Sequence, residues 1–144
     1  MYDRILFATD GSDHASTVAA HAIDIASTRD ADLHVISVVD DRAFLVLDDE
    51  RVESVREELR TKALEAAEEA VTAATDAGVS TETIVDSGSP AECIVSYAEE
   101  NDADLIVMGT SGDAYETNVV GSVSERVVRT APVPVLTVGP ETER

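Results

Sequence analysis

Five short apolar runs recur along the chain, and glycine, proline, serine or aspartate lies beside each of them. The runs are rich in valine, isoleucine and leucine, and continuous apolar runs of this length are typical of strands that are buried on both faces. The pattern therefore predicts strands at residues 4–9, 32–39, 80–85, 104–108 and 133–138.

Between these runs, apolar residues recur at three- and four-residue spacing, which predicts helices with one buried face. The first such helix has its apolar stripe at 15–26, and Ser12 or Asp13 is expected to cap it. A loop with an apolar centre is predicted at 40–49. The longer stripe that follows it, at 52–74, predicts a long amphipathic helix.

The helix ends carry signals of their own. Gly78 is placed to end the long helix in a left-handed conformation. The sequence Ser-Pro-Ala-Glu from Ser89 to Glu92 predicts a capping box with proline at the first helical position. That helix is expected to run to about Asn101, and a last helix is predicted at 122–130.

Strands and helices alternate along the whole chain without a repeat or a linker, so residues 1–144 are expected to form one domain. Apolar strands joined by helices require a parallel sheet that is covered on both faces. Because such crossovers are right-handed, we expect a doubly wound α/β fold with strand order 3-2-1-4-5. Ligands of these folds bind where the strand order reverses, which nominates the loops at Asp10 and Gly109.

Composition favours a cytoplasmic protein. Apolar residues make up 44% of the chain, which is enough for a buried core. No apolar run reaches the roughly 18 residues that span a bilayer, and the first residues lack the pattern of a signal peptide. The single cysteine, Cys93, has no partner for an internal disulfide, as is typical of the reducing cytoplasm.

Charge is the strongest bias in the composition. The chain has 30 acidic and 10 basic residues, a net charge of −20, and only one lysine, Lys62. Such a surface is typical of a halophilic protein, because the Debye length is only about 3 Å at 1 M salt and mutual repulsion is screened. An ordinary acidic protein is the alternative. Without a basic stripe, we expect no binding to nucleic acid or to an anionic membrane.

The segment with the most chemical potential joins the fourth strand to the last helix. From Gly109 to Ser124 it reads GTSGDAYETNVVGSVS. Glycine lets the backbone approach a ligand, and the helix after Gly121 offers free N–H groups to a phosphate. A flexible connection without a ligand is the alternative. P-loop, dinucleotide-binding and nucleophile-elbow motifs do not occur in the chain, which argues against those NTPase, dehydrogenase and hydrolase classes.

This segment resembles the G-x-x-G…G-[ST] signature of the universal stress protein family. The opening ILFATDGS at 5–12, the turn Gly88-x-Pro90 and the ending APVPVLTV at 131–138 are also similar to that family. The motifs agree in order and spacing over essentially the whole chain. The resemblance implies an adenine nucleotide alpha hydrolase-like fold and a role in the stress response.

The resemblance also implies a nucleotide site. Asp10 would hold the ribose, and Ala8 and Val38 would flank the adenine. Gly109 and Gly112 would let the ribose and phosphate approach the backbone. The start of the last helix would take the phosphates. The implied set is Ala8, Thr9, Asp10, Val38, Met108, Gly109, Gly112, Gly121, Ser122, Val123 and Ser124. The implied ligand is ATP or AMP, with Mg²⁺ as its accompanying cation.

Two features differ from the ATP-binding members of that family. Eight residues rather than nine separate Gly112 from Gly121, and this loop carries Asp113 and Glu116 where the family is often basic. A carboxylate near a triphosphate is unfavourable unless a cation bridges them or salt screens them. Two hypotheses therefore stay open: a nucleotide-binding regulatory protein with slow hydrolysis at most, and a dimeric partner-binding protein that binds no nucleotide.

The other polar candidates are interpreted as structural. The three histidines, His14, His21 and His34, form no cluster of metal ligands; the first two are expected on the polar side of the first helix. Cys93 lies beside an apolar stripe and is expected to pack. Asp40 and Asp41 are interpreted as solvated charge at a strand end rather than as a phospho-acceptor or metal site. An enzymatic role would need a general base, and only Asp10 offers one.

The fifth predicted strand lies at the edge of the sheet in this strand order. An apolar edge presents unpaired N–H and C=O groups that invite another chain. Pro132, Pro134 and Pro140 leave Val135–Val138 as the stretch where a continuous ladder can form. Because many members of the family pair this strand across a two-fold axis, we expect a homodimer through it.

Overall fold

The sheet consists of five strands at the positions of the five apolar runs. The computed structural model describes residues 1–41, 49–110 and 121–139. The strands are β1 (Arg4–Ala8), β2 (Asp32–Asp40), β3 (Thr81–Gly88), β4 (Leu105–Gly109) and β5 (Val135–Val138). All neighbouring strands run parallel in the order β3-β2-β1-β4-β5, which confirms the predicted doubly wound α/β fold.

Four helices cover the two faces of this sheet. They are α1 (Ala15–Arg29), α2 (Asp49–Asp76), α3 (Pro90–Glu100) and α4 (Ser122–Thr130). Side chains of a strand alternate between the faces, so Ile5 and Phe7 pack in the core under α1 and α2, whereas Leu6 packs under α3 and α4. The strands are therefore buried on both faces, which explains why their sequences are continuously apolar.

Strand ends differ from the prediction where pairing continues beyond the apolar run. β2 and β3 extend to Asp40 and Gly88, which are partners at the end of their ladder. Residues 42–48 of the predicted loop at 40–49 lie outside the described residues. β5 begins at Val135 rather than at 133, because proline at position 134 cannot donate to a ladder.

The start of α1 also differs from the prediction. The helix begins at Ala15 after His14, whose side chain makes no capping hydrogen bond. Ser12 acts through its backbone instead: its N–H donates to Asp10 Oδ1 at 2.9 Å, and its C=O accepts the Ala15 N–H at 3.0 Å. The prediction that Ser12 or Asp13 caps this helix is wrong, because the turn is organised around Asp10.

The predicted capping box at the start of α3 does not form. The helix begins at Pro90 as predicted, but Ser89 makes no side-chain capping hydrogen bond. Glu92, the other half of the box, pairs with Arg126 of α4 at 2.8 Å. An ion pair between two helices therefore replaces the local cap.

The long helix α2 ends as predicted. Gly78 has a φ angle of 80°, the left-handed conformation that glycine adopts without strain. Ala67, Ala70 and Ala74 are buried against the sheet, and their small side chains let the helix approach closely. Although α2 has 28 residues, neither it nor any other described helix is apolar over the length needed to cross a bilayer.

Candidate functional site

A cleft of about 500 Å³ opens at the carboxyl end of the sheet, beside the ends of β1 and β4. The strand order reverses at this point, as it does at the ligand sites of doubly wound sheets. Ten of the eleven nominated residues contribute to its wall: Ala8, Thr9, Asp10, Val38, Met108, Gly109, Gly121, Ser122, Val123 and Ser124. The eleventh, Gly112, lies outside the described residues.

One side of the cleft is the tight turn that follows β1. Asp10 Oδ1 accepts the Ser12 N–H at 2.9 Å, and Thr9 Oγ1 accepts the Gly11 N–H at 3.2 Å. Gly11 has a φ angle of 74°, and a Cβ atom there would lie only 3.1 Å from the Cβ of Ala66 in α2. The turn is therefore held by hydrogen bonds within it and by close packing, and it presents the exposed Asp10 at the cleft.

The opposite side of the cleft is the N-terminus of α4. The first hydrogen bond of this helix runs from the Glu125 N–H to the Gly121 C=O at 2.8 Å. The N–H groups of Ser122, Val123 and Ser124 therefore have no acceptor within the helix, and Gly121 at the cap has no side chain to supply one. Free N–H groups at the positive end of a helix dipole suit an anionic oxygen.

The hydroxyl of Ser124 has a structural role. It is buried and donates to the Thr110 C=O at 2.5 Å, with a longer contact of 3.1 Å to the Gly121 C=O. The Gly121 N–H donates to the same Thr110 carbonyl. These bonds tie the start of α4 to the end of β4. Because its hydroxyl is used in them, Ser124 can contact a phosphate only through its backbone N–H.

Much of the cleft wall is apolar. Ile36 and Val38 of β2, Met108 of β4, and Pro90 and Ile94 of α3 all contribute to its wall. Apolar walls with polar groups at the two ends are the usual design of a small-molecule site. The arrangement suits a flat, uncharged ring against the apolar wall and an anionic group at the start of α4.

Asp40 is a second acidic residue of this cleft. The interpretation of Asp40 and Asp41 as solvated charge holds for the exposed Asp41, but Asp40 is half-buried at the end of β2 and contributes to the cleft wall. Together with Asp10 it places two carboxylates around one cavity. A sequence cannot show this, because the extra length of β2 depends on its pairing with Gly88.

Among the other cleft residues that sequence reasoning missed, His14 and Thr110 bear on its chemistry. His14 is not on the polar side of α1: it precedes the helix and lines the cleft, with its Nε2 atom 3.2 Å from the Val138 carbonyl oxygen. Thr110 lines the cleft as well, and its buried Oγ1 atom has no hydrogen-bond partner among the described residues. His14 belongs to no motif, and Thr110 stands at an unspecified position of the Gly109–Ser124 signature. The sequence indicated the position of His14 only through its closeness to Asp10, which it follows by four residues.

The remaining candidates lie away from the cleft. His34 is buried beside Tyr97, and His21 is exposed on α1. Burial, reinforced by the charge of Asp86, raises the pKa of the Cys93 thiol, which favours the unreactive protonated form and a packing role. Within the described ranges, no three histidine, cysteine, aspartate or glutamate side chains come close enough to hold a metal ion.

Comparison with known proteins identifies the family. The model of the universal stress protein family matches residues 1–139. The chain belongs to the universal stress protein family. A universal stress protein of Methanocaldococcus jannaschii is 42% identical over 140 residues, which cover 96% of this chain and 82% of that protein.

Solved structures of universal stress proteins share the fold. The universal stress protein UspA from Lactobacillus plantarum has a TM-score of 0.81 and 29% identity, over 95% of this chain and 97% of that chain. A universal stress protein in complex with cAMP has a TM-score of 0.71 and 26% identity, over 95% of this chain and 97% of that chain. The sheet order and helix layers of this universal stress protein are therefore those of its family.

Proposed function

We propose that this universal stress protein binds an adenine nucleotide, ATP or AMP, in the cleft and acts as a regulatory protein of the stress response rather than as an enzyme. The observation that carries the proposal is an uncapped helix N-terminus, an apolar wall and Asp10 around one cavity. A nucleotide has the matching parts: phosphates, a flat base and a ribose. The related universal stress protein in complex with cAMP supports this class of ligand.

The proposed placement follows from the chemistry of each wall. The base packs between the apolar side chains of Ala8 and Val38, and the ribose hydroxyls donate to the exposed carboxylate of Asp10. The phosphate oxygens accept hydrogen bonds from the N–H groups of Ser122 and Val123 at the start of α4. A hydrogen bond to a charged group contributes about 1.5 to 3 kcal/mol, so the Asp10 and phosphate contacts dominate the affinity.

A cation would help ATP to bind in this cleft. Asp10 and Asp40 place two acidic side chains on its wall. Mg²⁺ is commonly held by one or two carboxylates together with the phosphates of a nucleotide. Because no three ligating side chains cluster in the described part of the chain, the residues fit Mg²⁺ that arrives with the phosphates and not a cage made by the protein alone.

The cleft is better arranged for binding than for hydrolysis. A general base must lie within hydrogen-bond reach of the proton that it removes. His14 Nε2 is directed at the Val138 carbonyl at 3.2 Å, and Asp10 Oδ1 accepts the Ser12 N–H at 2.9 Å. Both groups are engaged in holding the structure of the loops, so we propose hydrolysis of ATP that is slow at most.

The second candidate is a dimeric partner-binding protein without a nucleotide. The exposed carboxylate of Asp10 on the cleft wall favours it, because a negative charge there repels phosphate. The eight-residue spacing between Gly112 and Gly121, with Asp113 and Glu116, points the same way. The residues of that loop from 111 to 120 lie outside the described ranges.

For both candidates we propose a homodimer through β5. The carbonyls of Pro134 and Val138 accept hydrogen bonds from residues next to or within β4, at 3.0 and 3.2 Å. Alternate residues of a strand direct their N–H and C=O groups to opposite neighbours, so Val135 and Thr137 direct theirs to the open edge. Two such edges related by a two-fold axis can complete each other.

We also propose that the protein works in a salt-rich cytoplasm. Its net charge of −20 is carried by 30 acidic and 10 basic residues. Concentrated salt screens this charge, and it also weakens the repulsion between the cleft carboxylates and a bound phosphate. The same conditions should therefore favour both the folded state and nucleotide binding.

Calorimetric titration of ATP and AMP in molar KCl tests the nucleotide proposal. Asp10→Ala should weaken binding by roughly tenfold or more, as expected for a lost hydrogen bond to a charged group. Gly121→Val should abolish binding, because the new side chain adds bulk at the cleft wall where the phosphates are proposed to lie. The variant should still fold, because the φ of −71° and ψ of 166° at Gly121 are allowed for any residue. The control is Asp24→Ala, which removes an exposed carboxylate outside the cleft and should bind normally.

The absorbance of the purified protein offers a second, independent measurement. Bound adenine nucleotide should add absorbance at the absorption maximum of adenine, beyond that of the protein itself. Denaturation should release the nucleotide into solution. If the folded protein binds neither ATP nor AMP in molar KCl, the second candidate stands. Equal affinity of the unmodified protein and Asp10→Ala would show that the ribose is not held as proposed.

A further inference from the structure

The carbonyl oxygen of Val138, the last residue of β5, accepts two hydrogen bonds. One comes from the Thr110 N–H at 3.2 Å, and the other joins it to the His14 Nε2 atom, also at 3.2 Å. A carbonyl oxygen can only accept, so Nε2 must carry a proton and donate it. Two residues of the cleft wall thus converge on the end of the edge strand.

The Thr110 residue links this point to the other side of the cleft. Its N–H donates to Val138, while its C=O accepts the Ser124 hydroxyl at 2.5 Å and the Gly121 N–H. A continuous chain of hydrogen bonds therefore runs from the start of α4 through Thr110 to the end of β5, and His14 closes it from the start of α1.

The surroundings of Gly109 show how closely these groups are packed. A Cβ atom built on Gly109 would lie 3.4 Å from Val18 Cγ2, 3.8 Å from His14 Cδ2 and 3.9 Å from the Val138 oxygen. The imidazole therefore stands directly beside the end of β4, where the cleft is formed. A displacement of Thr110 or of the start of α4 would therefore be transmitted to Val138 through directly hydrogen-bonded or packed groups.

We propose that His14 is a positioning residue that couples occupancy of the cleft to the order of β5. The inference rests on the proposed function, nucleotide binding at the start of α4. A phosphate that fixes residues 121–124 also fixes Thr110, and the two hydrogen bonds to Val138 then hold the end of the strand. β5 has only four residues and one strand neighbour in the described sheet, so it belongs to the part of a fold that opens easily.

The coupling must act in both directions. If a nucleotide stabilises the end of β5, then loosening that end must weaken the nucleotide by the same factor. The proposed dimer uses the same strand, so the ligand would also influence the edge that a second copy meets. His14 reaches the strand through Val138 and not through the ligand, which separates its role from that of Asp10.

Amide hydrogen exchange measured by NMR, with and without ATP in molar KCl, tests this proposal. Without ligand, His14→Leu should speed exchange of the Thr110 and Val138 amides by about three- to tenfold, the ratio expected for one net hydrogen bond. His14→Gln, which keeps an N–H donor at a similar reach, should restore slow exchange. His21→Leu changes an exposed histidine of α1 and should have no effect.

Addition of ATP should slow exchange of these amides in the unmodified protein, and it should slow them less in His14→Leu. ATP should also bind His14→Leu more weakly by the same factor, and His14→Gln should recover both properties. ATP binding that leaves the exchange of β5 unchanged would overturn the coupling but not the proposed function. Absence of ATP and AMP binding to the unmodified protein would overturn both. Identical exchange in His14→Leu and the unmodified protein would exclude a positioning role for His14.

Discussion

The Nδ1 atom of His34 in β2 lies 2.6 Å from the phenolic oxygen of Tyr97 in α3, and this hydrogen bond joins the sheet to one of its covering helices. The two rings are tilted by 54° with centroids 5.8 Å apart. His34 is buried, and burial lowers its pKa below 6.5, although the nearby carboxylate of Glu82 acts in the opposite direction. The histidine is therefore neutral in the folded protein near neutral pH.

This lowered pKa predicts a loss of stability at mildly acid pH. The unfolded chain binds a proton at His34 near pH 6.5, while the folded chain resists it until a lower pH. The contribution is fully present above pH 6.5 and is lost as the pH falls through 6.5 towards the folded pKa. Urea unfolding between about pH 8 and about pH 5.5, above the range of most carboxylates, measures it.

The matched variants for this measurement are His34→Asn and His21→Asn. His34→Asn keeps a hydrogen-bonding atom near the position of Nδ1 but cannot titrate, so its free energy of unfolding should fall less with decreasing pH. His21 is exposed on α1, and His21→Asn is the matched control for the loss of a histidine elsewhere in the chain. If the free energy of unfolding falls equally steeply with decreasing pH in the unmodified protein and in His34→Asn, then the loss of stability does not come from His34.

The net charge of −20 predicts that salt stabilises the fold. The Debye length falls from about 10 Å at 0.1 M to about 3 Å at 1 M, which relieves repulsion between surface carboxylates. For a chain of 144 residues, each kcal/mol that is relieved raises Tm by about 3 to 4 °C. Calorimetric scans from dilute to molar KCl measure this shift, and a Tm that does not depend on KCl would refute the salt adaptation.

The open edge of β5 predicts that Leu136→Glu separates the dimer. Leu136 is 36% exposed on this strand, and a two-fold contact places two new charges at one interface. The control is Val128→Glu, which adds the same charge at a residue of α4 that is 52% exposed. Sedimentation in high salt should show a dimer for the unmodified protein and the control, and a monomer for Leu136→Glu with little change in Tm.

Val138, the other position at which a charge could be tested, is less suitable. It is half-buried and packs against the core under α1 and α2, so a charge there would unfold the chain rather than separate two folded copies. A clean monomer of the unmodified protein at micromolar concentration would rule out the β5 interface.

A pair of glycine substitutions separates the packing of the Asp10 turn from simple backbone strain. Gly11 and Gly78 have φ angles of 74° and 80°, so alanine should cost about 1 to 2 kcal/mol at each. Only Gly11 is crowded, because its Cβ would lie 3.1 Å from Ala66, whereas nothing lies within 4 Å at Gly78. Gly11→Ala should therefore be the less stable variant in urea unfolding.

The same pair tests the position of Asp10. Gly11→Ala crowds the turn that holds this carboxylate against Ala66, so its affinity for ATP should fall, whereas Gly78→Ala should bind ATP as the unmodified protein does. Equal stability and equal affinity of the two variants would show that the contact with Ala66 does not position the turn.

Local patterns in the sequence predicted the elements and their order. Continuous apolar runs identify strands because a strand buried on both faces has no polar side, and Gly78 marks a helix end because few other residues adopt its φ angle. The reversal of strand order then brought Asp10 and Gly109 to one cleft. Both steps use rules that operate within a few residues or follow from the handedness of the chain.

Only the tertiary structure decided which partner each polar group of the cleft takes. His14 meets the carbonyl of Val138, which is 124 residues away along the chain, and the Ser124 hydroxyl turns inward to Thr110. Asp40 enters the cleft because pairing lengthens β2. The strength of a hydrogen bond changes over tenths of an ångström, so such contacts depend on how whole elements pack, and no periodic pattern in the sequence encodes them.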